Sequence, residues 1–270
     1  MPGDISKLTK DGKWIVTEVA DGFFHVQYNN PRILNAYSEE DWRRYQTILT
    51  TLDTDSNTKV VFISSAFAKA FSSGLNLKAI TLILQGKENW SLAARRNYMY
   101  QHIREFQDAI STPARMKTPT IALLNGVSYG LALDIASACS IRIATEDVKM
   151  SIREIKIGIV ADMGSLQRMT SLVGNKSLMN QYALTGQVFG AAEALKIGFI
   201  SEIVPSFEAG IARGRDLGLS IAENPQWAIK GTKDCIQFMA DGGSVEQGLL
   251  NIADYNAHYL VGGLPPAAKL

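Results

Sequence analysis

Two cysteines in 270 residues, Cys139 and Cys235, exclude a disulfide framework, and they form no CxxC pair of the kind used for redox or metal chemistry. Both are read as buried structural thiols of a reducing compartment. An excess of either charge is also missing. With 27 basic against 26 acidic side chains and no Lys/Arg run, the chain has neither a nucleic-acid footprint nor a membrane-surface patch. No stretch approaches the roughly 18 uninterrupted apolar residues of a membrane span, and the opening MPGDISKLTKDGKW lacks an apolar signal core. The N-x-S matches at Asn89 and Asn175 are therefore read as accidental. HExxH, Walker A and G-x-G-x-x-G motifs are absent, which removes the usual footholds for metal and nucleotide chemistry; no metal site is expected. Fixed-period repeats and low-complexity segments are absent too. What remains is a chain 46% hydrophobic, able to bury a large core.

The pattern along that chain predicts an α/β fold. Residues 14–19 and 22–28 read as a hairpin, and Ser38 with Asp41 opens a helix running to about Leu52. Lys59 to Ser64 is a continuous apolar strand of the buried parallel kind, followed by a loop from Ala66 to Asn76. A helix is expected from Glu88 to about Ile110, then a short connection bracketed by Pro113 and Pro119. Thr120 to Leu124 and Ser140 to Ala144 read as strands flanking a helix from Gly130 to Cys139, with a further strand at Lys149 to Ile152. Strand, Gly/Ser loop and helix recur, which is α/β order. After Gly164 the residues 163–173, 175–184, 190–197, 206–222, 225–239 and 244–261 favour helix, with one strand at Glu202–Val204. We divide the chain into an α/β core, 1–205, and a helical region, 206–270.

Three acids fall in unusual places. Asp134 is the only charge between Lys117 and Arg142, inside a helix as apolar as Leu131, Ala132, Leu133, Ile135 and Ala136. Asp162 is the only charge between Lys156 and Arg168, and Glu154 stands among Ile152, Ile155 and Ile157. An isolated carboxylate in apolar surroundings costs several kcal/mol unless paired or neutralised, so three kept together point to proton transfer. Each has a plainer reading. Asp162 could cap a helix beginning near Met163, and Glu154 could pair with a neighbouring cation. Asp134 is the hardest to explain that way.

Two glycine loops follow buried strands, Phe71-Ser72-Ser73-Gly74-Leu75-Asn76 and Asn125-Gly126-Val127-Ser128-Tyr129-Gly130-Leu131. Strand-to-helix loops expose free N–H groups, and two such groups converging on one point make an oxyanion hole; as tight turns alone they would need no function. The second loop also matches G-x-S-x-G at Ser128, with His258 downstream, so a serine hydrolase competes. That reading lacks an HGGG-type loop and leaves Asp134 and Asp162 without a role. His25 and His102 have no partner spacing.

These residues resemble the enoyl-CoA hydratase/isomerase (crotonase) superfamily, and within it most closely the Δ3,5-Δ2,4-dienoyl-CoA isomerases of the peroxisomal fungal type. The resemblance runs over nearly the whole chain and is most specific in 120–175. It rests on Asn125-Gly126, the loop to Leu131, Asp134, Ala138-Cys139-Ser140-Ile141-Arg142, and Glu154 with Asp162 eight residues later, before Gly164-Ser165-Leu166-Gln167-Arg168. In hydratases the Asp134 position resembles a Glu and the Asp162 position a Gly. The chain departs from the family's G-G-G with Gly130-Leu131-Ala132, and from its usual Asp with Asn76.

The resemblance implies a crotonase-like spiral of ββα units with a helical C-terminal trimerisation region, assembled as a homotrimer or homohexamer. It implies an isomerase of fatty acid β-oxidation that shifts 3,5-dienoyl-CoA to 2,4-dienoyl-CoA; enoyl-CoA hydratase, Δ3,Δ2-enoyl-CoA isomerase and a non-catalytic acyl-CoA-binding subunit are the alternatives. Coenzyme A would be part of the acyl-CoA substrate, and no separate cofactor is expected. The catalytic residues carried over are Asp134, Glu154 and Asp162, the oxyanion donors the N–H groups of Leu75 and Leu131. Ser73, Gly74, Lys78 and Gly130 would line the substrate. Asp162 is expected to take the C2 proton and Glu154 to serve C6, with Asp134 tuning Glu154. The last residues, Ala268-Lys269-Leu270, resemble the S-K-L tripeptide read by the peroxisomal import receptor, which would place the protein in the peroxisomal matrix.

Overall fold

The computed structural model describes residues 5–80 and 83–263; Ala268, Lys269 and Leu270 lie outside the described residues. In chain order the elements are α1 (Ile5–Leu8), β1 (Trp14–Ala20), β2 (Phe23–Tyr28), α2 (Glu39–Thr54), β3 (Val60–Ser65), β4 (Ala70–Ser72), α3 (Leu77–Ile80), α4 (Leu92–Ile110) and α5 (Thr112–Arg115). Then come β5 (Thr120–Leu124), β6 (Val127–Tyr129), α6 (Leu131–Ala138), β7 (Ile141–Thr145), β8 (Lys149–Ser151), α7 (Ser165–Leu172), α8 (Lys176–Thr185) and α9 (Ala191–Ile197). The chain closes with β9 (Glu202–Val204), α10 (Phe207–Ala222), α11 (Gln226–Ala240) and α12 (Val245–Leu260).

Two sheets organise these elements. One has the order β1-β2-β3-β5-β7-β9, parallel except for the β1–β2 hairpin; the other is the small parallel sheet β4-β6-β8. Strands β3, β5 and β7 in the first sheet are each followed at once by β4, β6 and β8 in the second. The chain then returns through helices, so it climbs as a spiral of ββα turns. Parallel neighbours require such crossovers. The strands β4 and β6 sit in stretches that the sequence pattern gives as loops. They are three residues long, too short for a period-2 signal to stand out.

Local chemistry explains the element ends. Ser38 and Asp41 close a reciprocal capping box on α2, whose Trp42, Tyr45, Ile48, Leu49 and Leu52 are all buried. The helix expected from Glu88 begins instead at Leu92. Ser91 caps it by accepting from the Ala94 N–H, and the preceding residues are taken up by turns around Gly86. Strands β3 and β5 are buried throughout because helices cover one face and the ββα spiral the other.

α10 belongs to this packing. Its Gly210, Gly214 and Gly218 lie one turn apart, and a Cβ on each would come within 2.6 Å of Leu123, 2.3 Å of Phe62 and 2.2 Å of Phe23. The bare glycines let the helix backbone press on the side chains of β5, β3 and β2. α10 thus packs on the sheet although it lies beyond the 205/206 division.

Candidate active site

The oxyanion candidates are built from the bottom up by one buried side chain. Asn35, with φ 55, is fully buried in the turn after β2, and its amide reaches Tyr28 O (3.0 Å), Ser65 Oγ (3.0 Å) and Phe71 O (3.1 Å). It thereby ties the ends of β2, β3 and β4 together. Its own carbonyl accepts from Ser72 Oγ (2.7 Å), which in turn accepts from the Gly74 N–H (3.0 Å). Ser73 adds two bonds to the same turn, from its N–H to Leu34 O and from Oγ to Ile33 O. Tyr37 N–H donates to Gly74 O and Asn76 N–H to Tyr37 O, which leaves the Leu75 N–H between them without an acceptor among the described residues.

The second loop meets the first at backbone contact. A Cβ at Gly74 (φ 103) would stand 3.0 Å from Tyr129 O and 3.8 Å from Leu131 N, so only glycine lets the two loops close up. Leu131 opens α6, and its N–H is one of the helix's unpaired N-terminal donors. Gly130 (φ 55) brings the third group: a Cβ there would lie 2.8 Å from Glu154 Oε1. Two free amides and a carboxyl group thus share one small volume.

None of the three acids is in an ion pair within 4 Å among the described residues, though the charge of Arg168 acts on Asp134. Glu154 opens the 3-10 turn Glu154–Ile157; its Oε2 is buried with no hydrogen-bond partner among the described residues. The surface pairing with Arg153 is not formed, because the Arg153 guanidinium lies 4.8 Å over the Tyr129 ring. Burial first, with the charge of Asp162 adding, raises the Glu154 pKa against an opposing pull from backbone N–H groups. Burial likewise raises Asp162. Asp134 is buried in α6 and pushed up to about 7, by desolvation and then by the charge of Glu154. The structure therefore brings Asp134, Glu154 and Asp162 into one electrostatic cluster.

The plainer readings of two acids change places. Asp162 does not cap α7, which begins at Ser165 after Gly164. Asp134 does that work from another helix, with Oδ1 accepting the Ser165 N–H at 2.6 Å. Spacing could not reveal this, since the two residues are 31 apart. Lys78 is exposed on α3, just past the first loop, and Ser73 faces the Asn35 turn.

The serine-hydrolase constellation is not assembled. Ser128 is fully buried on β6 and donates to Asn125 O, while His258 is exposed on α12. His25 accepts or donates at Ser64 Oγ (2.8 Å), and burial lowers it to about 4; His102 packs edge-on to Trp42. Both cysteines are free. Among the described residues no group of three His, Cys, Asp or Glu could hold a metal ion, and no helix is long and apolar enough to cross a membrane.

A cavity of about 1130 Å³ starts at Asp162, Met163 and Gly164 and runs between α4, α7 and α11. That is slightly above the roughly 300–1,000 Å³ of small-molecule pockets, and of the three acids and two amides only Asp162 lines it. Sequence patterning gave no sign of the residues that hold this region. Gln107 approaches the Asp162 loop from 55 residues away, and Arg168, on the next helix, folds back over it to reach Ser111 57 residues away.

Comparison with known proteins concerns the family and the fold. Residues 18–252 match the enoyl-CoA hydratase/isomerase family model. A mitochondrial Δ3,5-Δ2,4-dienoyl-CoA isomerase of Dictyostelium discoideum is 30% identical over 258 residues, 95% of this chain and 87% of its own. A peroxisomal protein of the same name from Arabidopsis thaliana is 31% identical, covering 88% of this chain and 85% of its own. Among solved structures, a putative enoyl-CoA hydratase from Thermobifida fusca in complex with CoA superimposes with a TM-score of 0.81 at 20% identity, over 95% of this chain and 96% of that one. At that identity the likeness concerns the fold.

Proposed function

The chain belongs to the enoyl-CoA hydratase/isomerase family, and from that membership we propose that it is a Δ3,5-Δ2,4-dienoyl-CoA isomerase of fatty acid β-oxidation. The observation that carries the proposal is the pair Glu154 and Asp162, both raised in pKa and electrostatically coupled, beside the free N–H groups of Leu75 and Leu131. A hydratase adds water across one double bond. A 3,5-to-2,4 shift needs proton transfer at two carbons four bonds apart, which two carboxyl groups supply and one cannot.

In this reading the thioester oxygen accepts from the amides of Leu75 and Leu131. One carboxylate takes a proton from C2, the electrons move through the diene to give a dienolate, and the other carboxyl returns a proton at C6. Protons and electrons balance without a redox partner, so the reaction calls for no cofactor beyond the CoA carried by the substrate. Two aligned amides are each worth about 3–4 kcal/mol in the transition state. Mutual repulsion of Glu154 and Asp162 favours the state with one proton between them, which is the state the relay requires. We keep Asp162 at C2 and Glu154 at C6, with Asp134 holding the cluster together. Gly74 and Gly130 let the substrate reach the amides, while Ser73 and Lys78 flank its entry.

The chain is further proposed to work as a homotrimer or homohexamer and to enter the peroxisomal matrix through Ala268-Lys269-Leu270. The Arabidopsis relative is named peroxisomal, the Dictyostelium relative mitochondrial. The activity is tested by incubating the protein with a 3,5-dienoyl-CoA and following the absorbance of the conjugated 2,4-diene. A rise that is lost in both Glu154→Gln and Asp162→Asn is expected. A 3-hydroxyacyl product instead, or no spectral change, overturns the proposal.

A further inference from the structure

Asp162 has an unusual problem for a proton-transfer group. Its carboxyl has no side-chain hydrogen-bond partner among the described residues; its own backbone N–H is the group that opposes burial, so its direction follows its backbone. That backbone is gripped at four consecutive residues. Gln107 Nε2 on α4 donates to Asp162 O at 2.7 Å, and Gln107 Oε1 accepts from Arg104 Nη1 at 2.8 Å, which fixes the way the amide faces. Arg168, on the first turns of α7, folds back over the same loop. Its Nη1 donates to Met163 O (3.4 Å) and its Nη2 to Ser111 Oγ (2.5 Å), at the α4–α5 junction. The guanidinium fills the space a Cβ at Gly164 would need, 1.9 Å from Nη1, where φ is 125. Asp134 then holds the Ser165 N–H.

We propose that Gln107 and Arg168 are the positioning residues of Asp162, a bracket that clamps the 162–164 loop between α4 and α7 and so aims the carboxyl at the substrate. The inference rests on the isomerase reading of the site. A carboxyl aimed through its backbone has no side-chain partner competing for the reacting proton, and catalytic geometry tolerates errors of only about half an ångström. Hydrogen bonds to the carboxylate itself would hold it as well, and would lower the pKa that burial has raised. Gln107 is the sharper probe, since it is half-buried and has no hydrogen bond to Asp134 or Glu154.

The test compares Gln107→Leu, Gln107→Glu and Arg168→Lys with the parent on a 3,5-dienoyl-CoA, together with site-resolved deuterium exchange at C2 and C6. For Gln107→Leu, kcat is expected to fall at least about tenfold with KM within about twofold, since aim is lost and not binding. Exchange at the carbon served by Asp162 falls more than exchange at the carbon served by Glu154. Gln107→Glu carries a donor only when protonated, so its kcat relative to Gln107→Leu rises as the pH is lowered. Arg168→Lys keeps the charge but not the planar fork, and loses kcat in the same way. The bracket is overturned if Gln107→Leu isomerises at the parent's rate, or if exchange at the two carbons falls equally. A parent that gives no diene absorbance at all overturns the isomerase reading itself, a separate result.

Discussion

At the scale of single residues, burial turns ordinary carboxyl groups into reagents with a cost. Burial and the charge of Glu154 let Asp134 hold its proton up to about 7 in the folded chain, against the ordinary aspartate value of 3.8 when unfolded. Between those values the native state binds more protons than the unfolded one, so stability falls as the pH rises through that window and levels off above it. Asp134→Asn removes this slope while retaining an oxygen for the Ser165 N–H. The melting temperature of the variant relative to the parent should therefore climb from about pH 4 to about pH 7. A constant difference over that range would mean that Asp134 does not titrate there. Gly130 makes a second prediction at this scale. A methyl group would meet Glu154 Oε1 at 2.8 Å and would strain a φ of 55, so Gly130→Ala should lower kcat about tenfold or more in the diene assay.

At the scale of elements, function depends on close approach. The loops after β3 and β5 can present two amides together because β4 and β6 pair directly, with Ser72 level with Ser128. The same economy of distance holds α10 on the sheet. Gly214→Ala would push a methyl into the Phe62 ring, 2.3 Å from its nearest atom, and should destabilise the protein by about 1–3 kcal/mol, read as a lower urea midpoint with an unchanged slope. The lowered midpoint should come with little change in the active-site parameters, since α10 covers the face of the sheet away from the small β4-β6-β8 sheet.

At the scale of the whole molecule, the late helices are fastened to the core at one end and carry an exposed apolar face at the other. α11 is fastened to the core by Lys233, whose buried Nζ donates to the carbonyls of Pro113 (2.8 Å), Ala114 (3.2 Å) and Met116. Burial lowers its pKa to about 8. α12 packs on α11 through Tyr255 and Tyr259 against Trp227, yet leaves Val245, Leu249 and Leu250 exposed. A helix of that kind gains by covering its apolar face with another copy. Sedimentation velocity should give three or six times 29.5 kDa for the parent and a smaller species for Leu249→Glu with Leu250→Glu. A parent sedimenting as a monomer would remove the trimer from the proposal.

By itself the sequence determined the α/β class and the order of the longer elements, because local periodicity is written along the chain, and it singled out three acids as isolated charges in apolar runs. It also marked both glycine loops, since positive φ and close backbone approach demand that residue. The short strands β4 and β6, the capping of α7 by Asp134, the keystone role of Asn35 and the grip of Gln107 on Asp162 were decided only in three dimensions. Each depends on a contact between residues tens of positions apart, and no local signal encodes such a contact. Ser128 and His258 illustrate the converse: a motif spacing satisfied along the chain was separated by the fold, because β6 buries one residue and α12 exposes the other.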